Sequence, residues 1–491
     1  MGKSTELDVK VKFGLKSFIT VVAILLVVLI FVGVLTYVIP AGRYTIYTTD
    51  PVKGELPFYQ YTTDESLDKQ IVLDSYKELA DGENSTRLPF FRWITSPFEA
   101  LIFGNTNMVM IIALLLVLGG TFKVLENSGG LVSLVRVIMV KLRSKRFVAI
   151  WVITAVIMIL SAVFGLQEQL LILYPVFAML CTALNWSRFT AISFVLISSG
   201  VGFTTAITNP LTIGTASIAA GVSITDGIWY RCIIFAVMYV VTALFLTYLA
   251  KRDEKSVTEK FDVDKFVMVS EEEHKEDVSK AKMIIALFSV ALLSVIVTTV
   301  IESLRSLAMV FMAVAFIVGT VIVGKLLLGS YKELGKSFLN GVKDVLPSIV
   351  IIMIAFGITY IAQQGNILHT IFHYFYNSVT NISPYLAVII LYAFVLIIEF
   401  FIPSASAKAV LIIPMLTLAP IEGISKTVII LTYLFADGYA NVLFPTCGTL
   451  LVGLGLADVS FAEWFKKTIF FQLILLLMSI GFLMLAVFIR L

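Results

Sequence analysis

Runs of about 20 apolar residues, the length that crosses a bilayer, recur through this chain and are separated by short polar or charged segments. The pattern predicts spans at about 17–39, 107–125, 189–222, 228–250, 281–301, 306–328, 346–362, 427–456 and 467–489. Two further apolar stretches, 147–184 and 385–421, carry a polar tip near the middle. The first tip is Leu166-Gln167-Glu168-Gln169, and the second is Pro403-Ser404-Ala405-Ser406-Ala407-Lys408. Each reads as a re-entrant hairpin that enters and leaves on one side. Amphipathic stretches at 130–142 and 365–384 precede the hairpins. The expected fold class is an all-α polytopic membrane protein with about nine transmembrane helices plus two re-entrant hairpins in two inverted repeats.

The repeat is visible in the breaks. Pro175 matches Pro414, Pro210 matches Pro445 and Trp229 matches Trp464, at offsets of 239, 235 and 235. The span 189–222 is interrupted at Thr208-Asn209-Pro210, and 427–456 is interrupted at Phe444-Pro445-Thr446. Paired interruptions in corresponding positions of two halves point to a transporter's binding site. The organisation read from this is a first span and extracytoplasmic loop (1–106), inverted repeat 1 (107–250), a charged cytoplasmic linker (251–280), scaffold helices (281–345) and inverted repeat 2 (346–491).

Charge placement orients the halves. Segment 126–146 carries Arg136, Lys141, Arg143, Lys145 and Arg146, whereas its counterpart 365–384 has no Lys or Arg. Cytoplasmic loops are enriched in Lys and Arg, so the first segment is expected in the cytoplasm and the second outside. Segment 251–282, with eight basic and ten acidic residues, is a second cytoplasmic marker and is polar enough to be a flexible linker. The path then has a cytoplasmic N-terminus, an external loop at about 41–94 with no readable fold, and an extracytoplasmic C-terminus, in the inner (plasma) membrane. The first apolar run, Ser17–Pro40, is too long for a signal-peptide core and is expected to be retained.

Composition agrees and narrows the chemistry. The chain is 59% hydrophobic and 14% charged, against roughly 25% charged in soluble domains. Cys181, Cys232 and Cys447 all lie in apolar segments, and the three histidines are scattered, so neither a disulfide framework nor a metal site is expected. Gly200-Val201-Gly202 follows no strand and is no nucleotide fingerprint, and no Walker motif occurs. Basic residues cluster only at membrane edges, which gives no nucleic-acid patch. No acid–base pair sits beside a nucleophile, so no enzyme and no cofactor is expected. The partners are a small molecule and the lipid bilayer.

Charged residues in apolar segments cost roughly 2.5–3.5 kcal/mol on insertion scales and must face a cavity or a partner. Glu168, Lys408 and Asp437 are such residues. Lys408 would hold a substrate carboxylate or serve as counter-ion to Glu168 or Asp437. Glu399, in an arm of the second hairpin, is a lesser candidate. Ser404, Ser406, Thr208, Asn209, Asn441 and Thr446 supply polar groups at the tips and breaks, with Pro210, Pro403 and Pro445 as break residues. Half-helix N-termini offer N–H donors to a carboxylate, and half-helix C-termini offer carbonyls to a cation such as Na⁺. Glu168, Asn209, Asp437 and Asn441 are the ion-coupling candidates, with Na⁺ or H⁺ as the ion. Glu126-Asn127 and Gln363-Gln364, at matching repeat positions, read mainly as polar anchors of helix ends.

At the stretches TYVIPAGRY (36–44), EQLLILYP (168–175), GVGFTTAITNP (200–210), IPSASAKAVLIIP (402–414) and FADGYANVLFPTCG (435–448), the chain resembles the YfcC group of the C4-dicarboxylate anaerobic carrier (DcuC-like) family. The resemblance implies an inverted-repeat transporter, often dimeric and working by an elevator-like movement. Its substrates would be small and carboxylate-bearing: C4-dicarboxylates in some relatives, amino acids, including arginine/ornithine exchange, in others. Lys408 stands where many relatives carry Gln, and an ammonium there would replace a coupling cation or bind an extra carboxylate. Two acids and one base near the tips suit an amino acid, zwitterionic or basic, better than a dianion. The alternative is a Na⁺- or H⁺-coupled C4-dicarboxylate transporter.

Overall fold

The computed structural model describes residues 15–54, 59–63, 72, 75–79, 88–103, 106–142, 145–256, 266–378, 382–402, 404–418 and 423–491. It is built almost wholly of helices: α1 (Leu15–Val38), α2 (Phe90–Phe103), α3 (Thr106–Asn127), α4 (Gly130–Leu142), α5 (Arg146–Phe164), α6 (Tyr174–Ala183), α7 (Arg188–Thr205), α8 (Thr215–Ala220), α9 (Ile228–Ser256), α10 (Glu271–Val300), α11 (Ala308–Leu328), α12 (Tyr331–Gln364), α13 (Ile367–Ser378), α14 (Pro384–Phe401), α15 (Ala405–Leu418), α16 (Lys426–Leu443), α17 (Gly448–Leu456) and α18 (Phe461–Phe488). Eleven spans among the described residues are long and apolar enough to cross a membrane. They are the nine expected spans plus α5 and α14, the first arms of the two hairpins.

The succession α3 to α9 repeats as α12 to α18: a long helix, an amphipathic helix, two hairpin arms, a helix broken in two, and a long helix. Local chemistry supports the match. Serine starts the broken helix in both halves: the Ser187 hydroxyl accepts from the Thr190 N–H and the Ser425 hydroxyl from the Val428 N–H. Such caps satisfy N–H groups that a helix start otherwise leaves orphaned.

The hairpins close on themselves. Phe147, at the start of α5, packs 6.4 Å from Trp186, just after α6, and Arg146 and Trp186 both reach Glu254. Gly423, after α15, abuts Pro384 at the start of α14. The two open ends lie at opposite ends of α9. The first meets Asp253 and Glu254 near its C-terminus. The second adjoins Gly227, beside its N-terminus, through Thr427. The 29 residues of α9 span about 43 Å, so the hairpins point toward each other from opposite ends of the molecule.

The broken helices lie at the centre. In an 18-residue apolar stretch of each, 94% of the residues are buried in 188–220 and 83% in 426–456, against 33% in α9. Their first halves cross in backbone contact: a Cβ at Gly438 would sit 2.2 Å from the Thr204 N. The outer helices present apolar side chains outward, as with Val27, Leu244 and Phe470.

Three features differ from expectation. The segment 251–282 is not a linker throughout: α9 runs to Ser256 and α10 begins at Glu271. Ser270 caps α10, and three glutamates fill its first turn, where the helix dipole favours acids. Arg136 of α4 then binds Glu273 at 2.9 Å and Asp277 at 2.5 Å. Second, the short helix α2, which carries Pro97 within it, lies outside the spans the pattern predicts. Third, the described residues of the 41–94 loop include short paired strands. Strand β1 (Gly42–Arg43) pairs antiparallel with β4 (Lys77–Glu78), and β2 (Ile46–Thr48) pairs parallel with β3 (Tyr59–Tyr61). This loop is pinned to α13, where the Tyr44 N–H donates to His369 Nδ1 and Tyr76 stacks on His373 at 3.9 Å. Burial, with Arg43 nearby, holds the His369 imidazole down at about 4, so Nδ1 remains an acceptor.

Because Gly438 allows α7 and α16 to touch, Gly438→Ala is expected to destabilise the protein by about 1–3 kcal/mol through overpacking. Gly335→Ala, on a helix surface with open space around it, should be neutral or stabilising. Thermal unfolding in detergent, followed by size-exclusion, checks both.

Candidate functional site

Four interruptions of the helical backbone converge at the centre, and each must find hydrogen-bond partners away from water. The first hairpin turns at Gly165 in the left-handed region (φ 72°). There, a Cβ would lie 2.4 Å from Asn209 Oδ1. The carbonyl end of α5 is closed by the break after α7. Thr208 and Asn209 both donate their N–H to Ala162 O at 3.1 Å, and Thr208 Oγ1 donates to Val163 O at 3.2 Å. Asn209 is fully buried, and its Oδ1 accepts from the Leu211 N–H at 2.9 Å, capping the helical turn that opens with Pro210. Arg231 seals the other side of this break by donating to the carbonyls of Ile207, Ile224 and Asp226. In the second half the equivalent work falls to Trp464 and Gln472, which donate to Val442 O at 2.8 and 3.4 Å.

Between the two tips lies a cavity of about 460 Å³. Gln167, Glu168 and Gln169 reach it from the first tip, Ser404 and Ser406 from the second, and Asn441, Cys447 and Thr449 from the second break. Pro210, Leu211 and Thr215 represent the first break. Apolar side chains of α3 and α12, including Leu114, Leu118, Ile352 and Phe356, close the opposite wall. Glu168 is the one charged residue among the described lining residues, and it forms no ion pair there. Two helix starts open on the cavity: α15 at Ala405 and α17 at Gly448, whose cap residue Cys447 makes no side-chain cap bond.

Behind the cavity wall is a sealed ion cluster. Lys408 Nζ lies 2.7 Å from Asp437 Oδ1 and also contacts Glu399, and all three side chains are at most 1% exposed. The cluster ties both arms of the second hairpin to α16. Asn441, one turn on from Asp437, donates to its Oδ2 at 3.5 Å and accepts from Cys447 Sγ at 3.3 Å. A chain of polar contacts therefore runs from the cluster to the cavity surface.

Of the residues expected to touch substrate, Glu168, Ser404, Ser406 and Asn441 line the cavity. Thr208, Asn209 and Thr446 are adjacent but off its lining, the first two engaged with backbone. Lys408 and Asp437 lie in the ion cluster instead. Of the two counter-ion partners expected for Lys408, Asp437 is the one it meets, with Glu399 as a second. Pro445 sits in the turn between α16 and α17, and Pro403 lies outside the described residues. Sequence reasoning missed Thr449, Cys447 and Arg231. A legible signal existed for Arg231, a cation two residues after the repeat-matched Trp229.

The helix count, the buried broken helices and the central cavity with polar groups at its tips fit a multi-pass membrane protein of transporter type. The chain belongs to the C4-dicarboxylate anaerobic carrier (DcuC) family, which it matches over residues 18–488, and it is a membrane transporter. It is 22% identical over 393 residues, 75% of this chain and 76% of the relative, to the Escherichia coli K12 protein named "Putative basic amino acid antiporter YfcC". It is 23% identical over 486 residues, 92% and 93% of the two chains, to an uncharacterized protein of Haemophilus influenzae. Among solved structures it is similar to the Alcanivorax borkumensis YdaH transporter (TM-score 0.42, 16% identity, 96% and 97% coverage). It is also similar to Neisseria gonorrhoeae MtrF (TM-score 0.43, 15% identity, 95% of each chain).

Replacing Lys408 by Met strands two buried carboxylates side by side. Breaking a buried ion pair in this way costs about 3–5 kcal/mol, so Lys408→Met should express poorly and unfold early. Combining it with Glu399→Gln and Asp437→Asn should recover most of the loss, as a thermal-shift comparison of the variants would reveal.

Proposed function

We propose that this protein is a secondary active transporter of a small amino acid, with basic amino acids such as arginine and ornithine as the preferred class, working by alternating access. The observation that carries this reading is the charge of the central cavity: one carboxylate, Glu168, and no basic side chain among the described lining residues. A substrate ammonium or guanidinium has a partner at Glu168. Its carboxylate meets the N–H groups of α17 and α15, with Ser404 and Ser406 beside them. A C4-dianion would face Glu168 with no compensating cation, because Lys408 is already held by Asp437 and Glu399. The name carried by the Escherichia coli relative supports the amino-acid reading, and the family description supports the dicarboxylate alternative.

The ion cluster is the proposed coupling element. Two carboxylates face one ammonium, leaving one negative charge that a proton neutralises, and Asn441 links that charge to the cavity. The fixed ammonium of Lys408 takes the place of a coupling Na⁺ in this scheme. The hairpins re-enter the membrane from opposite faces, and repeat 1 opens to the cytoplasm. This orientation rests on the basic residues gathered around α4 and the end of α9, an arrangement that follows the positive-inside pattern. Location in the inner membrane, a homodimer and an elevator-like movement of the hairpins against α3 and α12 complete the reading.

Counterflow in liposomes tests it. Internal unlabelled arginine or ornithine should drive entry of labelled arginine without a Na⁺ gradient, and Asp437→Asn should abolish entry while keeping a monodisperse, folded profile. Entry of labelled succinate with none of arginine would overturn the amino-acid reading in favour of the dicarboxylate alternative.

A further inference from the structure

The fold leaves a donor open at the first hairpin tip. Gln167 lines the central cavity and is 2% exposed, yet its Nε2 has no hydrogen-bond partner among the described residues. A buried N–H without an acceptor is costly, and the cost is recovered when an acceptor enters the cavity. The residue itself is held in place. Its backbone N–H donates to Gln169 Oε1 at 3.1 Å, and its carbonyl accepts from the Leu170 N–H at 3.1 Å. A donor whose backbone is fixed before the ligand arrives loses less freedom on binding.

Gln167 and Glu168 are adjacent and line the same cavity with opposite chemistry. The first presents an unsatisfied N–H and the second a carboxylate. At the hairpin offset of 239, Gln167 corresponds to Ser406 and Glu168 to Ala407. Ser406 lines the cavity from the second tip. Equivalent points of the two tips therefore carry hydrogen-bonding side chains, whereas the acid belongs to the first tip alone. A ligand that satisfies this arrangement brings an oxygen acceptor for Gln167 and a cationic group for Glu168. A simple amine would leave the Gln167 donor unmade.

We infer that Gln167 is a specificity residue of the central site: its side-chain amide donates to the substrate carboxylate, opposite Ser406, while Glu168 takes the cationic group. The inference rests on the amino-acid reading of the site and adds the side chain that separates an amino acid from the amine lacking its carboxylate. Sites built to hydrogen-bond a substrate group discriminate strongly against analogues without it, because the buried partner is then left unpaired.

The test compares arginine with agmatine, which is arginine without its carboxylate. Binding of each to the purified full-length protein is measured by calorimetry, with thermal unfolding to confirm that every variant is folded. Wild type should bind arginine at least tenfold more tightly than agmatine. Gln167→Met should weaken arginine binding about tenfold and leave agmatine binding unchanged, with a smaller loss for arginine alone in Gln167→Asn. Wild type that binds agmatine as tightly as arginine would overturn the role of Gln167. So would folded variants that lose both ligands equally or lose neither, and in each case arginine binding by the wild type would stand. Wild type that binds neither ligand would overturn the amino-acid reading and this inference with it. The wild-type comparison and Gln167→Asn keep the test decisive if Gln167→Met fails to fold.

Discussion

In hydrocarbon, a broken helix has no water to satisfy its exposed N–H and C=O groups. This chain breaks helices at four places near its centre, and the surrounding structure is arranged around those breaks. Thr208 and Asn209 close the carbonyl end of α5, Arg231 seals the first broken helix, and Trp464 with Gln472 seals the second. What these groups leave over is as informative as what they satisfy. The start of α17 has no side-chain cap, and Gln167 Nε2, at the edge of the cavity, is buried without a partner. Both the start of α17 and Gln167 border the central cavity.

Backbone symmetry and charge asymmetry do different work. The two halves share their succession of helices and their Ser187 and Ser425 caps. The ion cluster belongs to one half alone: the repeat counterparts of Glu399, Lys408 and Asp437 are Leu160, Gln169 and Gly202. The second hairpin is thus tied to α16 by buried charge, whereas the first is tied to α7 and its break through backbone bonds. Charge pairing of this kind is costly to break and sensitive to protonation, and Coulomb attraction is strongest where water is excluded. That places a buried, charge-held contact at the second hairpin.

Much of this was legible in the chain. Apolar runs located the spans, and matched prolines located both breaks, because the length and periodicity demanded by a bilayer leave a strong trace. Glu168, Ser404, Ser406 and Asn441 were legible as cavity residues because polar groups in apolar zones need a reason. The partner of Lys408 was not fixed by sequence, since Asp437 and Glu399 lie 29 residues downstream and 9 upstream, and only packing decides between them and Glu168. The helical ends of segment 251–282 were hidden by its charge, which reads as solvated chain until Arg136 provides an anchor. Helix α2 was hidden by Pro97, and Thr449 by its small size beside more conspicuous break residues.

The most direct measurement is calorimetric binding of arginine to purified wild-type protein and to Glu168→Gln, with thermal unfolding to confirm that both are folded. If Glu168 is the cation-binding group of the central cavity, the variant binds arginine at least tenfold more weakly, a loss of about 1.4 kcal/mol or more. Equal arginine affinity in a folded variant would contradict the assignment of substrate to this cavity.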